Sequence, residues 1–241
     1  MNQIEEAIDL IQASKSLVFL TGAGVSVPSG IPDYRSLDGV YAGLEQPEYL
    51  LSQTCLKREP EKFYHFIKHL YHPTAQPNII HQVMAELTQS HNAWIISQNI
   101  DGLHQKASAK HLINFHGSLS HVYCQVCGQE VSVEQYLYTN RHEGCGGYLR
   151  PDIVLYEEGL DETMIQQTAR LISEAETIVV VGTSLRVYPF ASLLNYRSPH
   201  ARVILINQEE SYTSTDTLAI IGEASEFFLK LQQRRNSEER K

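Results

Sequence analysis

Apolar residues come along this chain in two rhythms. Short unbroken runs recur at Leu17–Leu20, Ala93–Ile96, Ile113–Phe115, Thr177–Val181 and Val203–Ile206. A run without alternation is what a parallel strand covered on both faces requires. Between these runs the spacing turns helical. Ile4, Ala7, Ile8 and Ile11 mark a helix within residues 2–14, and Phe63, Phe66, Ile67 and Leu70 mark another. Ile79, Val83 and Leu87 mark a third within 78–89, capped at Asn78, while Pro47 and Pro60 sit where helices begin. Further helices are expected at about 161–175 and 222–233, and residues 234–241 read as a polar, frayed end. Strands alternating with helices predict an open parallel α/β sheet. Each apolar run ends in small or polar residues: Thr21-Gly22-Ala23-Gly24, Ser97-Gln98-Asn99, His116-Gly117, Gly182-Thr183-Ser184 and Asn207. That places a ligand along the carboxyl ends of the strands.

Composition narrows this picture. A chain of 241 residues, 42% hydrophobic and 20% charged, suits one soluble domain with a small insertion. A net charge of -9 argues against a general nucleic-acid binder. No apolar run reaches membrane-spanning length, and Met1-Asn2-Gln3 is no signal peptide, so a cytoplasmic protein with no membrane partner is expected. Of the four cysteines, three lie close together, which points to a metal in a reducing compartment. Cys124-Gln125-Val126-Cys127 and His142-Glu143-Gly144-Cys145 form two knuckles separated by 14 residues. Two such knuckles suit a closed tetrahedral zinc site, with structural rather than catalytic duty. His142 is taken as the fourth ligand, with His121 and Glu143 as the other donors at hand. Cys55 reads as a small buried hydrophobe.

The Gly22-Ala23-Gly24 turn lets backbone approach a bulky ligand, as for a dinucleotide pyrophosphate, though Val27 stands where the usual third glycine would be. The loop after it, Pro28-Ser29-Gly30-Ile31-Pro32-Asp33-Tyr34-Arg35, has neither helical nor strand period, and Arg35 is a phosphate or ribose donor. Gly22-Ala23-Gly24-Val25-Ser26 with Gly30-Ile31-Pro32-Asp33-Tyr34-Arg35 resembles the signature loop of the sirtuins, NAD-dependent protein lysine deacylases. Gln98-Asn99-Ile100-Asp101-Gly102 and Phe115-His116-Gly117 extend that resemblance, as do Gly182-Thr183-Ser184 and Ile206-Asn207. It runs from about residue 4 to residue 230.

The resemblance implies a Rossmann-like open parallel sheet with helices on both faces, plus a small zinc-ribbon and helical insertion lobe. A single catalytic domain over 1–241 would divide into a large lobe (1–36, 77–119 and 150–241) and a small one (37–76 and 120–149). It implies NAD and zinc as cofactors and acetylated-lysine proteins or peptides as partners. In the family, nicotinamide leaves as the acyl oxygen attacks the ribose carbon. His116 is then the base on a ribose hydroxyl, Asn99 positions ribose and water, and Asp101 holds the nicotinamide carboxamide. Gly22, Ala23, Gly24, Ser26, Ile31, Asp33, Tyr34, Arg35, Gln98, Ile100, Gly182, Thr183, Ser184, Asn207 and Ala224 complete the cofactor site. A neutral imidazole with an ordinary pKa near 6.5 suits a base working close to neutrality. His104, in a helical stretch after the Asp101 loop, reads as structural.

On the peptide side the resemblance implies that Val154, Tyr156 and Glu157 pair with the substrate as an added strand, flanked by Val187. Three departures stand out. His142 replaces one cysteine of the family's four-cysteine site. Tyr156-Glu157-Glu158 stands where family members usually carry Phe-Gly-Glu, which restricts the backbone, adds a charge and favours basic residues beside the lysine. Tyr64 keeps an acyl-pocket tyrosine, but Ile67 occupies the place of the arginine that, in desuccinylating members, pairs with an acyl carboxylate. Neutral acyl groups, acetyl first, are therefore expected. The alternatives are a protein mono-ADP-ribosyltransferase, or an NAD-binding module without turnover.

Overall fold

The computed structural model describes residues 2–33, 47–90, 92–209 and 216–238. Six strands form one parallel sheet in the order β3-β2-β1-β7-β8-β9. They are β1 (Leu17–Thr21), β2 (Ala93–Ser97), β3 (Leu112–Asn114), β7 (Thr177–Val181), β8 (Arg202–Asn207) and β9 (Thr217–Ile221). β1 lies at the centre, with Leu17 to Thr21 in register with Ala93 to Ser97 on one side and Thr177 to Val181 on the other. Because side chains alternate across a strand, β1 serves two cores at once. Leu17 and Phe19 face a cluster with Ala7, Ile8, Ile11, Val83, Leu87, Phe227 and Leu231. Those residues belong to α1 (Gln3–Ala13), α5 (Ile79–Ser90) and α9 (Ala224–Glu238). Val18 and Leu20 face the other cluster, with Ile172 of α8 (Glu162–Glu174) and Phe190 and Leu193 of a 3-10 segment. Burying each such side chain contributes about 1.5–3 kcal/mol, so the unbroken apolar runs are the sheet's main support.

The expected strands are all present, β3 one residue earlier than its apolar run suggests, with the single-turn α6 (Leu103–Lys106) between β2 and β3. β9 is the addition. It is an edge strand whose residues are mostly half-buried, so Thr217-Leu218-Ala219-Ile220-Ile221 has less apolar character than a central run.

A second sheet, in the order β5-β4-β6, is antiparallel: β4 (Gly117–Cys124), β5 (Glu130–Val131) and β6 (Leu149–Ile153). Around it pack α2 (Pro47–Leu50), α3 (Gln53–Arg58), α4 (Pro60–His69) and α7 (Val133–Tyr138). Their shared cluster includes Cys55, Phe63, Ile67, Leu70, Val122 and Tyr136. The apolar face read on α4 is buried, Pro60 begins that helix and Cys55 is a core residue as expected. Among the described residues no helix is long and apolar enough to cross a membrane.

Candidate active site

The strand order reverses between β1 and β7, and both strands end there in glycines. Gly22 and Gly24 donate their backbone N–H groups to the carbonyls of Val181 and Gly182, at 3.2 and 2.9 Å. A Cβ placed on Gly24 would lie 2.7 Å from the Gly182 Cα. The two turns therefore meet backbone to backbone, and no larger residue fits at the contact. Above this junction opens a cavity of about 820 Å³. It collects residues that are far apart in sequence: Gly22, Ala23, Gly24 and Asp33 from the first turn, Gln98, Asn99 and Ile100 after β2, and His116 after β3. Gly182, Thr183 and Ser184 come from the end of β7, Asn207 from β8 and Ala224 from the start of α9. Val154, Tyr156, Glu157 and Val187 line it too.

The wall is stiffened by its own hydrogen bonds. Gln98 Nε2 donates to Thr183 Oγ1 at 2.8 Å, and Asn207 Nδ2 donates to the Thr183 carbonyl at 2.8 Å. Asn99 Nδ2 donates to the Gly22 carbonyl and to Ser26 Oγ, each at 3.1 Å. His116 Nδ1 lies 3.2 Å from the Gln98 carbonyl, which only accepts, so Nδ1 carries the proton and Nε2 is left as an acceptor. Burial lowers the imidazole pKa below its ordinary 6.5, only partly countered by that carbonyl. His116 is a neutral base held in one tautomer.

Four expected site residues do not line the cavity. Ser26 is buried, and its hydroxyl donates to Asp101 Oδ2 at 2.6 Å. Asp101 takes its other bond from the Leu103 N–H at 2.8 Å, and burial raises its pKa above the usual carboxylate value. The pair stands behind the wall and anchors Asn99 rather than facing the cavity. Ile31 packs with Ala75 and Leu103 beneath the loop. Tyr64 sits edge-on to Tyr136 and donates its hydroxyl to the Leu137 carbonyl at 3.2 Å, inside the small apolar cluster. Its ring packs in the small core, and Ile67 beside it is fully buried. Tyr34 and Arg35 lie outside the described residues.

Two supports are not legible in the sequence. Asn78, read as a helix cap, does accept from the Ile80 N–H, but its Nδ2 also donates to the Val25 carbonyl and to Ser29 Oγ, both at 2.8 Å. It ties α5 to the cofactor turn. Behind that tie, His81 and His104 form a buried ring pair with centroids 4.8 Å apart, and His104 Nε2 meets Thr21 Oγ1 at 3.2 Å. His104 is structural, as its helical setting suggests, but nothing in sequence spacing singles out His81.

Away from the cavity, Cys124, Cys127, His142 and Cys145 bring their ligand atoms within 4.8 Å of one another. Cys124 Sγ and Cys145 Sγ are 3.5 Å apart, while His142 Nδ1 is 3.4 and 3.2 Å from Cys127 Sγ and Cys145 Sγ. A tetrahedron with bonds of about 2.0–2.3 Å has edges of this size, so three thiolates and one imidazole fit zinc. A Cβ on Gly147 would lie 2.6 Å from Cys124 Sγ, so a glycine is needed under that sulfur. His121 and Glu143 are not in the cluster among the described residues.

A model of the Sir2 family matches residues 22–189. The NAD-dependent protein deacetylase of Listeria monocytogenes serotype 4b (strain F2365) is 55% identical over 211 residues, covering 87% of this chain and 91% of that protein. A Sir2 variant with deacetylated p53 peptide and 3'-O-acetyl ADP-ribose superposes with a TM-score of 0.87 at 30% identity, covering 96% of this chain and 98% of that one. A Sir2 with p53 peptide and NAD+ gives 0.85 at 30% identity, covering 97% and 98%. The glycine turn after β1, His116 after β3 and the two-knuckle Cys/His cluster all lie in the matched span, and the chain belongs to the Sir2 family.

Proposed function

We propose that this chain is an NAD-dependent protein lysine deacetylase, which removes acetyl groups from lysine side chains and yields nicotinamide, O-acetyl-ADP-ribose and the deacetylated protein. The observation that carries the reading is His116, a neutral imidazole with Nε2 open as an acceptor at the wall of a cavity large enough for a dinucleotide and an acyl-lysine. The relatives named above are themselves deacetylases or Sir2 complexes with peptide and cofactor.

NAD held in the cavity would supply an electrophilic ribose carbon, with nicotinamide as leaving group and the acyl oxygen as nucleophile. In this reading the chain's residues do the rest. His116 accepts a ribose hydroxyl proton at Nε2, with Nδ1–H fixed on the Gln98 carbonyl. Asn99 orients the ribose, held in place by Ser26 and Asp101 from behind, so Asp101 positions rather than touches. Gln98, Thr183, Ser184 and Asn207 take the remaining ribose and phosphate groups, the Gly22–Gly24 turn admits the pyrophosphate, and Ala224 packs against the adenine. Val154 and Val187 flank the peptide. Cys124, Cys127, His142 and Cys145 would hold zinc, which would join the two knuckles away from the cavity. Desuccinylating sirtuins carry an arginine where this chain has Ile67, so in this reading neutral acyl groups are the substrates.

We also read the chain as one catalytic domain over 1–241, with a large lobe (1–36, 77–119 and 150–241) and a small lobe (37–76 and 120–149). The cluster of Cys55, Phe63, Ile67, Leu70, Val122 and Tyr136 supports the small lobe, and Leu119, Ile153 and Leu155 join it from the edge of the large one. A cytoplasmic location suits thiolate ligands, which must stay reduced to hold metal.

Incubation with NAD and an acetyl-lysine peptide, beside His116→Ala, tests the reading. Nicotinamide, acetyl-ADP-ribose and deacetylated peptide should appear in equal amounts, falling about 10²–10⁴-fold in the variant. Because burial lowers the His116 pKa, the acid limb of kcat/KM should lie below pH 6.5. ADP-ribose on protein with the acetyl group untouched, or NAD binding without nicotinamide release, would overturn it.

A further inference from the structure

Glu157 and Glu158 are neighbours on the rim of the cavity, yet their carboxylates are held in opposite ways. Glu158 is neutralised: its two oxygens take Arg150 Nη1 at 2.7 Å and Nη2 at 3.1 Å, and Arg150 is buried. Glu157 has no such cation among the described residues. Its Oε2 accepts from the Thr54 backbone N–H at 2.9 Å and from the Thr54 hydroxyl at 2.7 Å, both neutral donors. Its backbone is left-handed, with φ of 73°, at the position where the sirtuin pattern usually has glycine. A non-glycine residue there carries backbone strain, and the bonds to Thr54 offset it.

The result is a charge that is exposed, uncompensated and fixed in place. Adjacent backbone bonds hold it further: Tyr156 N–H donates to the Leu51 carbonyl at 2.9 Å, and Gln53 N–H donates to the Tyr156 carbonyl at 3.1 Å. Tyr156 and Tyr188, which line the same cavity, are 46% and 77% exposed. An exposed carboxylate fixed on the rim of such a cavity is a setting that receives a guanidinium or an ammonium. Among the described lining residues Arg186 is the one Lys or Arg, set against Asp33, Glu157, Glu158, Glu209 and Glu223.

We propose that Glu157 is a specificity-determining residue of the deacetylase, favouring an acetyl-lysine with arginine or lysine close by in sequence and disfavouring one with acidic neighbours. The proposal rests on the deacetylase reading and adds the substrate class to it.

The test uses acetyl-lysine peptides on an alanine background, with Arg or Glu walked through the two positions on each side. At one or more positions wild type should show kcat/KM in the order Arg, Ala, Glu, with the extremes about fivefold to tenfold apart, since one exposed charge contact or clash is worth about a factor of two to five. Glu157→Gln keeps an amide oxygen for Thr54 and removes the charge, so the Arg-to-Glu ratio should fall towards one. Raising salt to about 0.5 M should shrink the wild-type ratio without any variant. A ratio near one in wild type at every position, or one that stays at its wild-type value in Glu157→Gln, would overturn the proposal. No turnover of the all-alanine peptide would overturn the deacetylase reading, and this proposal with it.

Discussion

Every strand of the six-stranded sheet runs parallel and is closed by helices on both faces, whereas the three-stranded sheet is antiparallel, short and completed by a metal cluster. The first draws on two apolar clusters that meet through β1, with Leu17, Phe19 and Leu20 at or near zero exposure. The second has one cluster, gathered from α2, α3, α4 and α7 around β4 and β6, and β5 is only two residues long. A sheet of that size is marginal without extra support, and the knuckles supply it. The large sheet thus holds the cofactor turn by packing, while the small one depends on four ligand atoms staying together.

The strongest way to break that difference is to remove the metal. Structural zinc is worth about 10–16 kcal/mol of apparent binding free energy in small zinc modules, and that free energy is folding free energy. Chelation, or His142→Ala, should abolish hydrogen-exchange protection in β4, β5 and β6 while protection in β1 and β7 persists. His142→Cys should keep zinc at one equivalent per chain, since it restores a thiolate at the same corner. Equal loss of protection in both sheets would mean they fold as one unit.

A milder perturbation runs the other way. Phe19→Ala, at a fully buried position of β1, should cost about 3–5 kcal/mol in denaturant unfolding while zinc content is retained. Loss of zinc alongside would show that the metal cluster leans on the large core after all.

Acid should sharpen the contrast within the large sheet. Burial pushes the His81 pKa down to about 4 and lowers that of His104 well below 6.5, with the neighbouring His81 adding to the effect. Both imidazoles are neutral when folded and take up protons on unfolding as the pH falls below about 6.5, so stability is full above that point and falls below it, for His81 down to about pH 4. The slope for each histidine reaches at most about 1.4 kcal/mol per pH unit. His81→Asn should flatten the urea midpoint against pH over this range; an unchanged profile would remove the pair from the account.

These contrasts also explain what can be read from sequence. Unbroken apolar runs mark central strands because every side chain in them is buried, so β1, β2, β7 and β8 are visible, while β9, half-open at the edge, is not. The ligand spacing of Cys124, Cys127, His142 and Cys145 identifies its cluster, since short knuckles leave little geometric freedom. The cavity residues are legible through strand ends and family likeness. What is not legible is which of them face inward. Ser26 and Asp101 share the signature blocks with Gly24 and Asn99, yet point behind the wall, and Tyr64 turns into the small core to find an acceptor. Side-chain direction in a loop follows from hydrogen-bond partners up to 75 residues away, as for Ser26 and Asp101, and no local pattern carries that.

The contact between Gly24 and Gly182 has a practical consequence for anyone seeking to retune cofactor choice. The floor of the cavity at that point is made of main chain alone, so it offers no side chain to exchange, and enlarging either glycine pries β1 from β7 before it reshapes the pocket. Directed changes belong instead at the walls, as at Ala224 at the start of α9, which lies apart from that joint.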